Sequence, residues 1–154
     1  MSYNLFHKEI IMKADAQTEA AVKDVLDRFA ENYAKRDLEG VMALFAPDSD
    51  VVMYGSGTDE KRVGPAEIRA QVERDWSQSE ATSMTYGWAS VSAAGSAAWV
   101  ATDVTFKAKV GGQELTLEGR LTNVLENRGG KWLMVQGHFS LPAAAQAEGE
   151  SFPE

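Results

Sequence analysis

The chain contains no cysteine, so disulfide stapling and thiolate chemistry are excluded. Histidine is scarce as well. Only His7 and His138 occur, far apart in sequence, and there is no ligand-spaced His or Cys cluster; neither a metal nor a cofactor is expected. Long apolar runs are missing: none approaches the roughly 20 residues that span a bilayer. The opening MSYNLFHKEIIMK lacks the apolar segment and small-residue cleavage site of a secretory signal. No membrane partner is expected, and cytoplasm is the default location. Positive charge is thin too, with 15 Lys and Arg against 23 Asp and Glu and a net charge of −8. Lys107 and Lys109 alternate near a hairpin tip, as on a solvated strand face, and no basic stripe exists to neutralise phosphates. Nucleic acid is therefore not an expected partner.

What remains is an ordinary globular composition, 44% hydrophobic and 25% charged, on a chain whose 154 residues form one domain with a proper core. Residues 1–14 read as an N-terminal arm, 15–142 as the domain and 143–154 as a small, polar, mobile tail. Val22, Val25, Leu26, Phe29 and Tyr33 recur at helical spacing and predict an amphipathic helix over 16–35. Asp37 is placed to cap a short helix over 38–45 that ends before Pro47. Val51–Tyr54 reads as a strand and GSGTDE, 55–60, as a loop; Gly64-Pro65 starts a third helix with its stripe at Ile68, Val72 and Trp76. That loop lacks the lysine and following helix of a phosphate loop, so a turn or pocket lid is the better reading.

Four long strands follow, at 84–93, 97–110, 113–126 and 131–141, with glycine-marked turns between them. A two-residue Gly111-Gly112 turn sets Asp103 opposite Arg120 and Thr102 opposite Leu121. A two-residue Ala94-Gly95 turn sets Tyr86 opposite Asp103. A three-residue loop, Arg128–Gly130, sets Arg120 opposite His138, and is favoured because a two-residue loop would oppose Arg128 to Lys131. One face then carries the row Tyr86–Asp103–Arg120–His138 with Trp88, Trp99 and Trp132. The other carries Val100, Thr102, Val104, Phe106, Leu117, Leu121, Asn123, Val135 and Phe139. Being more continuously apolar, this second face should be the one the helices cover.

The segments KRDLEGVMALFAPDSDVVMYG (35–55), VGPAEIRAQVERDW (63–76) and GRLTNVLENRGGKWLMVQGHFSLP (119–142) resemble those of the SnoaL-like, nuclear transport factor 2-like superfamily. The resemblance implies a cone-shaped, cystatin-like α+β barrel: three N-terminal helices packed on a strongly curved, mainly antiparallel sheet. It carries no single function, because members include isomerases, dehydratases, cyclases, binding modules and assembly domains. Against the ketosteroid isomerases, Met53, Phe29 and Leu121 fall where that family places its base and its two acid donors, so the resemblance comes without the catalytic residues. Against the kinase association domain, the pocket arginines fall near Thr102 or Val104, at Asn123 and at Phe139, none of them basic.

The expected cavity between helices and sheet is lined by Phe29, Tyr33, Met53, Trp76, Thr102, Leu121, Asn123 and Phe139, which together read either as an apolar ligand site or as plain core. The preferred reading is a small-molecule-binding domain. One alternative is an isomerase, hydro-lyase or cyclase acting on an apolar cyclic substrate through Tyr33, Tyr54, Asn123 or His138. Another is an assembly domain without a ligand. The group Asp103, Arg120 and His138 has catalytic chemistry, but a flat outer face offers no pocket, which favours a cross-strand charge network. Tyr86, Trp88, Trp99 and Trp132 on that face make an aromatic patch suited to a homodimer interface.

Overall fold

The computed structural model describes residues 12–153. In chain order the elements are α1 (Ala16–Lys35), α2 (Leu38–Met42), β1 (Val52–Tyr54), β2 (Lys61–Val63), α3 (Pro65–Ser77), β3 (Ala81–Ala94), β4 (Ala97–Val110), β5 (Gln113–Arg128) and β6 (Lys131–Ser140). The fold is α+β: three N-terminal helices pack on one six-stranded sheet of order β2-β1-β6-β5-β4-β3, antiparallel except where β1 runs parallel to β6. The expected arm, 1–14, lies mostly outside the described residues; its end, Met12–Ala14, pairs with β3 through Ala93 N–H to Met12 O and Ala14 N–H to Val91 O. No helix among the described residues is long and apolar enough to cross a membrane.

Side-chain caps set the helix starts. The Asp15 carboxylate accepts from the Thr18 amide at 2.7 Å and that of Asp37 from the Gly40 amide at 2.9 Å, each satisfying an otherwise orphaned donor. The stripe Val22, Val25, Leu26 and Tyr33 of α1 is buried, as are Ile68, Val72 and Trp76 of α3. Their partner is the sheet face carrying Ala98, Val100, Thr102, Val104 and Ala108 of β4 and Asn123 and Leu125 of β5. Two elements differ from the sequence expectation. The α2 helix stops at Met42, and Phe45 instead bridges to Met134, while Lys61–Val63, a stretch the sequence reading leaves without an element, forms a strand against β1.

Register explains the larger corrections. The Gly111-Gly112 turn sets Asp103 opposite Arg120 and Thr102 opposite Leu121. The β3–β4 turn is Gly95-Ser96, not Ala94-Gly95: Gly95 takes φ +60° at the first central position, a conformation open to glycine and required by a II′ hairpin. A bulge then places Gly87 and Trp88 together against Asp103, so Tyr86 pairs with Val104 and shares the helix-covered face. The β5–β6 loop holds two residues, Gly129-Gly130, not three. Arg128 does stand opposite Lys131, but its guanidinium is bonded to Asp48 and Glu126, so the like-charge pair that argued for a longer loop is neutralised. An extra residue, Val135, then interrupts the β6 ladder between Met134 and Gln136. This returns His138 to the outer face opposite Thr122, and Phe139 to the inner face opposite Leu121. Before that bulge the phase is reversed, and Trp132 turns toward α1 instead of outward.

Candidate functional site

Between the helices and the sheet lies a cavity of about 330 Å³. Its deep walls come from buried residues on four elements: Leu26 of α1, Ile68 and Val72 of α3, Val104 of β4 and Met134 of β6. Its mouth is framed by half-exposed or exposed groups, Tyr54 at the end of β1, Ser56 in the following loop, and Val110 at the end of β4. This size and predominantly apolar wall suit a compact organic molecule.

Of the residues expected to line it, Phe29, Tyr33, Met53, Leu121, Asn123 and Phe139 do so. Trp76 and Thr102 do not. Trp76 lies behind Tyr33 with ring centroids 5.4 Å apart, and the Thr102 hydroxyl donates to the Asp103 carbonyl at 3.0 Å, so both belong to the wall's backing. Tyr86, expected on the outer face, lines the cavity because of the bulge at Gly87-Trp88. Tyr54 reaches the rim, its ring 5.4 Å from that of His138. Asp103, Arg120 and His138 stay outside the cavity. His138 is opposite Thr122 rather than Arg120, so the four-residue row reduces to the Asp103–Arg120 pair, and no ion pair joins even these two among the described residues.

The polar arc of the cavity was not read from the sequence. Asp75 of α3 accepts the Tyr33 hydroxyl at 2.6 Å on one oxygen and the Gln71 amide at 2.7 Å on the other. Gln71 in turn accepts from Arg62 Nε at 2.9 Å and reaches Glu60 at 3.3 Å, while Arg74 donates to Glu60 and Asp59, each at 2.7 Å. Burial pushes the Asp75 carboxyl above its ordinary range, against the downward pull of the Tyr33 and Gln71 hydrogen bonds. Burial, then the neighbouring Asp75 charge, raises the Tyr33 phenol far out of the physiological range, so it remains a donor. Tyr86 is raised in the same direction by burial. Its hydroxyl and that of Thr82 are buried without a partner, although both side chains line the cavity. The one available signal for Asp75 was spacing: Gln71 and Asp75 stand four apart and flank the apolar stripe Ile68–Val72–Trp76.

Among the described residues no group of His, Asp and Glu is arranged to hold a metal ion. The positions that the resemblance aligned with isomerase proton-transfer groups present hydrocarbon or thioether to the cavity, as Phe29, Met53 and Leu121.

Solved structures of similar shape come from several bacteria. A nuclear transport factor 2-like superfamily protein of Salmonella enterica serovar Typhimurium superposes with a TM-score of 0.78 at 19% identity, over 90% of this chain and all of that one. A candidate aromatic ring hydroxylase of Novosphingobium aromaticivorans gives 0.77 at 16% identity, over 85% of this chain and 93% of that one. A candidate dehydratase of the same superfamily from Streptomyces avermitilis gives 0.76 at 19% identity, over 84% and 100%. At such identities the likeness establishes the fold alone. No curated protein matches the chain. The SnoaL-like domain model matches residues 22–144, from the middle of α1 to just past β6, and so takes in every element that lines the cavity: the chain belongs to the SnoaL-like domain family.

Proposed function

We propose that this domain binds a compact, largely apolar small molecule in the cavity and orients it through a few polar groups. The observation that carries the reading is the pairing of an apolar wall with buried polar atoms that no described residue satisfies, the hydroxyls of Thr82 and Tyr86. Leaving such atoms unpaired costs about 1–3 kcal/mol each, a cost that a hydrogen bond from a ligand would offset. Asn123, 5% exposed and lining the cavity, adds an amide that can donate and accept. The enzyme alternative rests on Asp75 and Tyr33, the titratable pair at the cavity wall, rather than on the outer-face group.

Indole, a flat apolar ring with one N–H, tests the reading by calorimetric titration. Saturable one-site binding is expected, abolished by Leu121→Trp, which fills the cavity, and weakened by Asn123→Leu by about 0.5–1.5 kcal/mol. Circular dichroism checks that both variants fold. No saturable binding, or binding that survives Leu121→Trp, overturns the proposal.

We also propose that the outer sheet face pairs two copies of the chain. Trp88 keeps 65% of its surface exposed, and Trp99, Asp103 and Arg120 lie on the same face of the adjacent strands. An exposed indole beside groups of both charge signs suits a self-complementary two-fold contact. Tyr86 and Trp132 have no part in this interface, since both turn inward.

A further inference from the structure

Asp75 stands apart from the other carboxylates around the cavity. Asp59 and Glu60 share the Arg74 guanidinium at 2.7 Å, whereas the direct side-chain partners of Asp75 are neutral, the Tyr33 hydroxyl and the Gln71 amide. The two formal charges that act on it, Glu60 and Arg74, are bonded to each other and largely cancel. Two further arginines are committed elsewhere. Arg62 donates to Gln71, and Arg36 donates to the carbonyls of Trp76 and Ser79 at the end of α3. Among the described residues Asp75 is therefore an anion at the wall of an apolar cavity with no counter-charge bonded to it, a costly arrangement.

Its surroundings are those of a cation site. Phe29 stacks on Tyr33 at 5.6 Å between ring centroids, and Phe106 meets Tyr33 edge-on at 6.2 Å, so two aromatic rings flank the phenol whose hydroxyl Asp75 accepts, and all four side chains line the cavity. Each Asp75 oxygen accepts one hydrogen bond and retains a lone pair for another. A separate observation points to an occupant. Thr82, 8% exposed, lines the same cavity with its hydroxyl unpartnered, and it follows closely on Asp75 and on Ser79, whose hydroxyl bonds the Asp75 carbonyl at 2.8 Å. Thr82 also pairs with Ala108, next but one to Phe106 on β4, which sets it at the same end of the cavity.

We infer that the ligand of this cavity is an organic cation: an apolar body, aryl or alkyl, bearing a protonated amine that bonds Asp75 and the Thr82 hydroxyl against the rings of Phe29, Tyr33 and Phe106. This deepens the binding proposal and rests on it. The net charge of −8 acts in the same sense, drawing cations and repelling anions.

Three probes of one shape test the charge: phenethylamine, phenethyl alcohol and hydrocinnamate, titrated calorimetrically into the intact protein at neutral pH. The amine should bind at least about tenfold more tightly than the alcohol, as a charge-assisted bond does over a neutral one, and the anion more weakly than either. Asp75→Asn should bring amine and alcohol to within about twofold of each other. Glu73→Gln, which removes an equal charge from an exposed position on α3, should keep the preference. Alcohol and amine binding alike to the unmodified protein, or the anion binding best, overturns the inference while the cavity reading stands. Failure of all three probes and of indole removes the cavity reading and the inference together. The comparison within the unmodified protein decides the matter even if Asp75→Asn does not fold.

Discussion

Phe106 and Trp88 come from neighbouring strands of one sheet, yet Phe106 meets the Tyr33 ring of α1 while Trp88 leaves 65% of its surface exposed. The difference between the two faces is one of partners, not of composition. On the inner face most large side chains find a helix or the cavity, the half-exposed Leu115 excepted, and polar groups such as Asn123 and Tyr86 are carried in with them. On the outer face Asp103, Arg120, Thr122 and His138 are all exposed, and nothing among the described residues covers them. A side chain therefore acquires energetic weight here from the face it occupies, and face is decided by register.

The sharpest break of this comparison uses two residues of β5 on opposite faces. Leu125, fully buried, should cost about 2–5 kcal/mol when replaced by Ala, whereas Thr122→Ala should stay within about 0.5 kcal/mol. Urea unfolding measures both, and similar losses would show that the face assignment does not govern stability. Next comes the outer face as an interface. Trp88→Glu should weaken self-association by at least about 2 kcal/mol, because it places a charge in a desolvated contact. Light scattering follows the change, and a mass of 16.8 kDa for the unmodified protein removes the dimer.

A third test concerns close packing across the inner face. A Cβ on Gly119 would lie 2.3 Å from a Phe139 ring carbon and 3.0 Å from the Ser140 carbonyl oxygen. Gly119→Ala should cost about 1–3 kcal/mol by overpacking, and much of that loss should vanish when Phe139→Ala is combined with it. Additive losses in the double-mutant cycle would place the strain elsewhere.

The smallest effect is a pH dependence. The folded Asp75 carboxyl lies above the ordinary 3.8, chiefly through burial, so the fold favours its protonated form. The stability this group contributes is fully present below the unfolded value and is lost as pH rises through the raised folded one. Relative to Asp75→Asn, the unmodified protein should thus lose stability across that window as pH increases. A difference that grows in its favour with rising pH would mean that the carboxylate is better solvated than its place in the cavity wall suggests.

Local pattern was enough for the helices and for one hairpin. The stripe of α1, the stripe Ile68–Val72–Trp76 of α3 and the Gly111-Gly112 turn each depend on neighbours in sequence, and so does the pairing of Asp103 with Arg120. The remaining hairpins were not legible to the same degree. The bulges at Gly87-Trp88 and Val135 sacrifice regular pairing locally and gain burial against distant helices, a trade that no short window records. For the same reason Tyr86 and Trp132 were assigned to the wrong face, while His138 and Phe139 reached theirs through two offsets of opposite effect on parity.

The sequence by itself determined most of the helix and strand segments, the end of α2 and the short strand β2 excepted, and where most turn glycines stand, because backbone sterics and side-chain periodicity act over a few residues. Only the tertiary structure decided what faces the cavity. Tyr33 and Asp75 are 42 residues apart, on helices whose stripes show that they are buried but not which groups they meet. Their hydrogen bond exists because α1 and α3 lie against one sheet, around one cavity. A contact of that kind is fixed by the sum of all the packing, and so by no part of the chain alone.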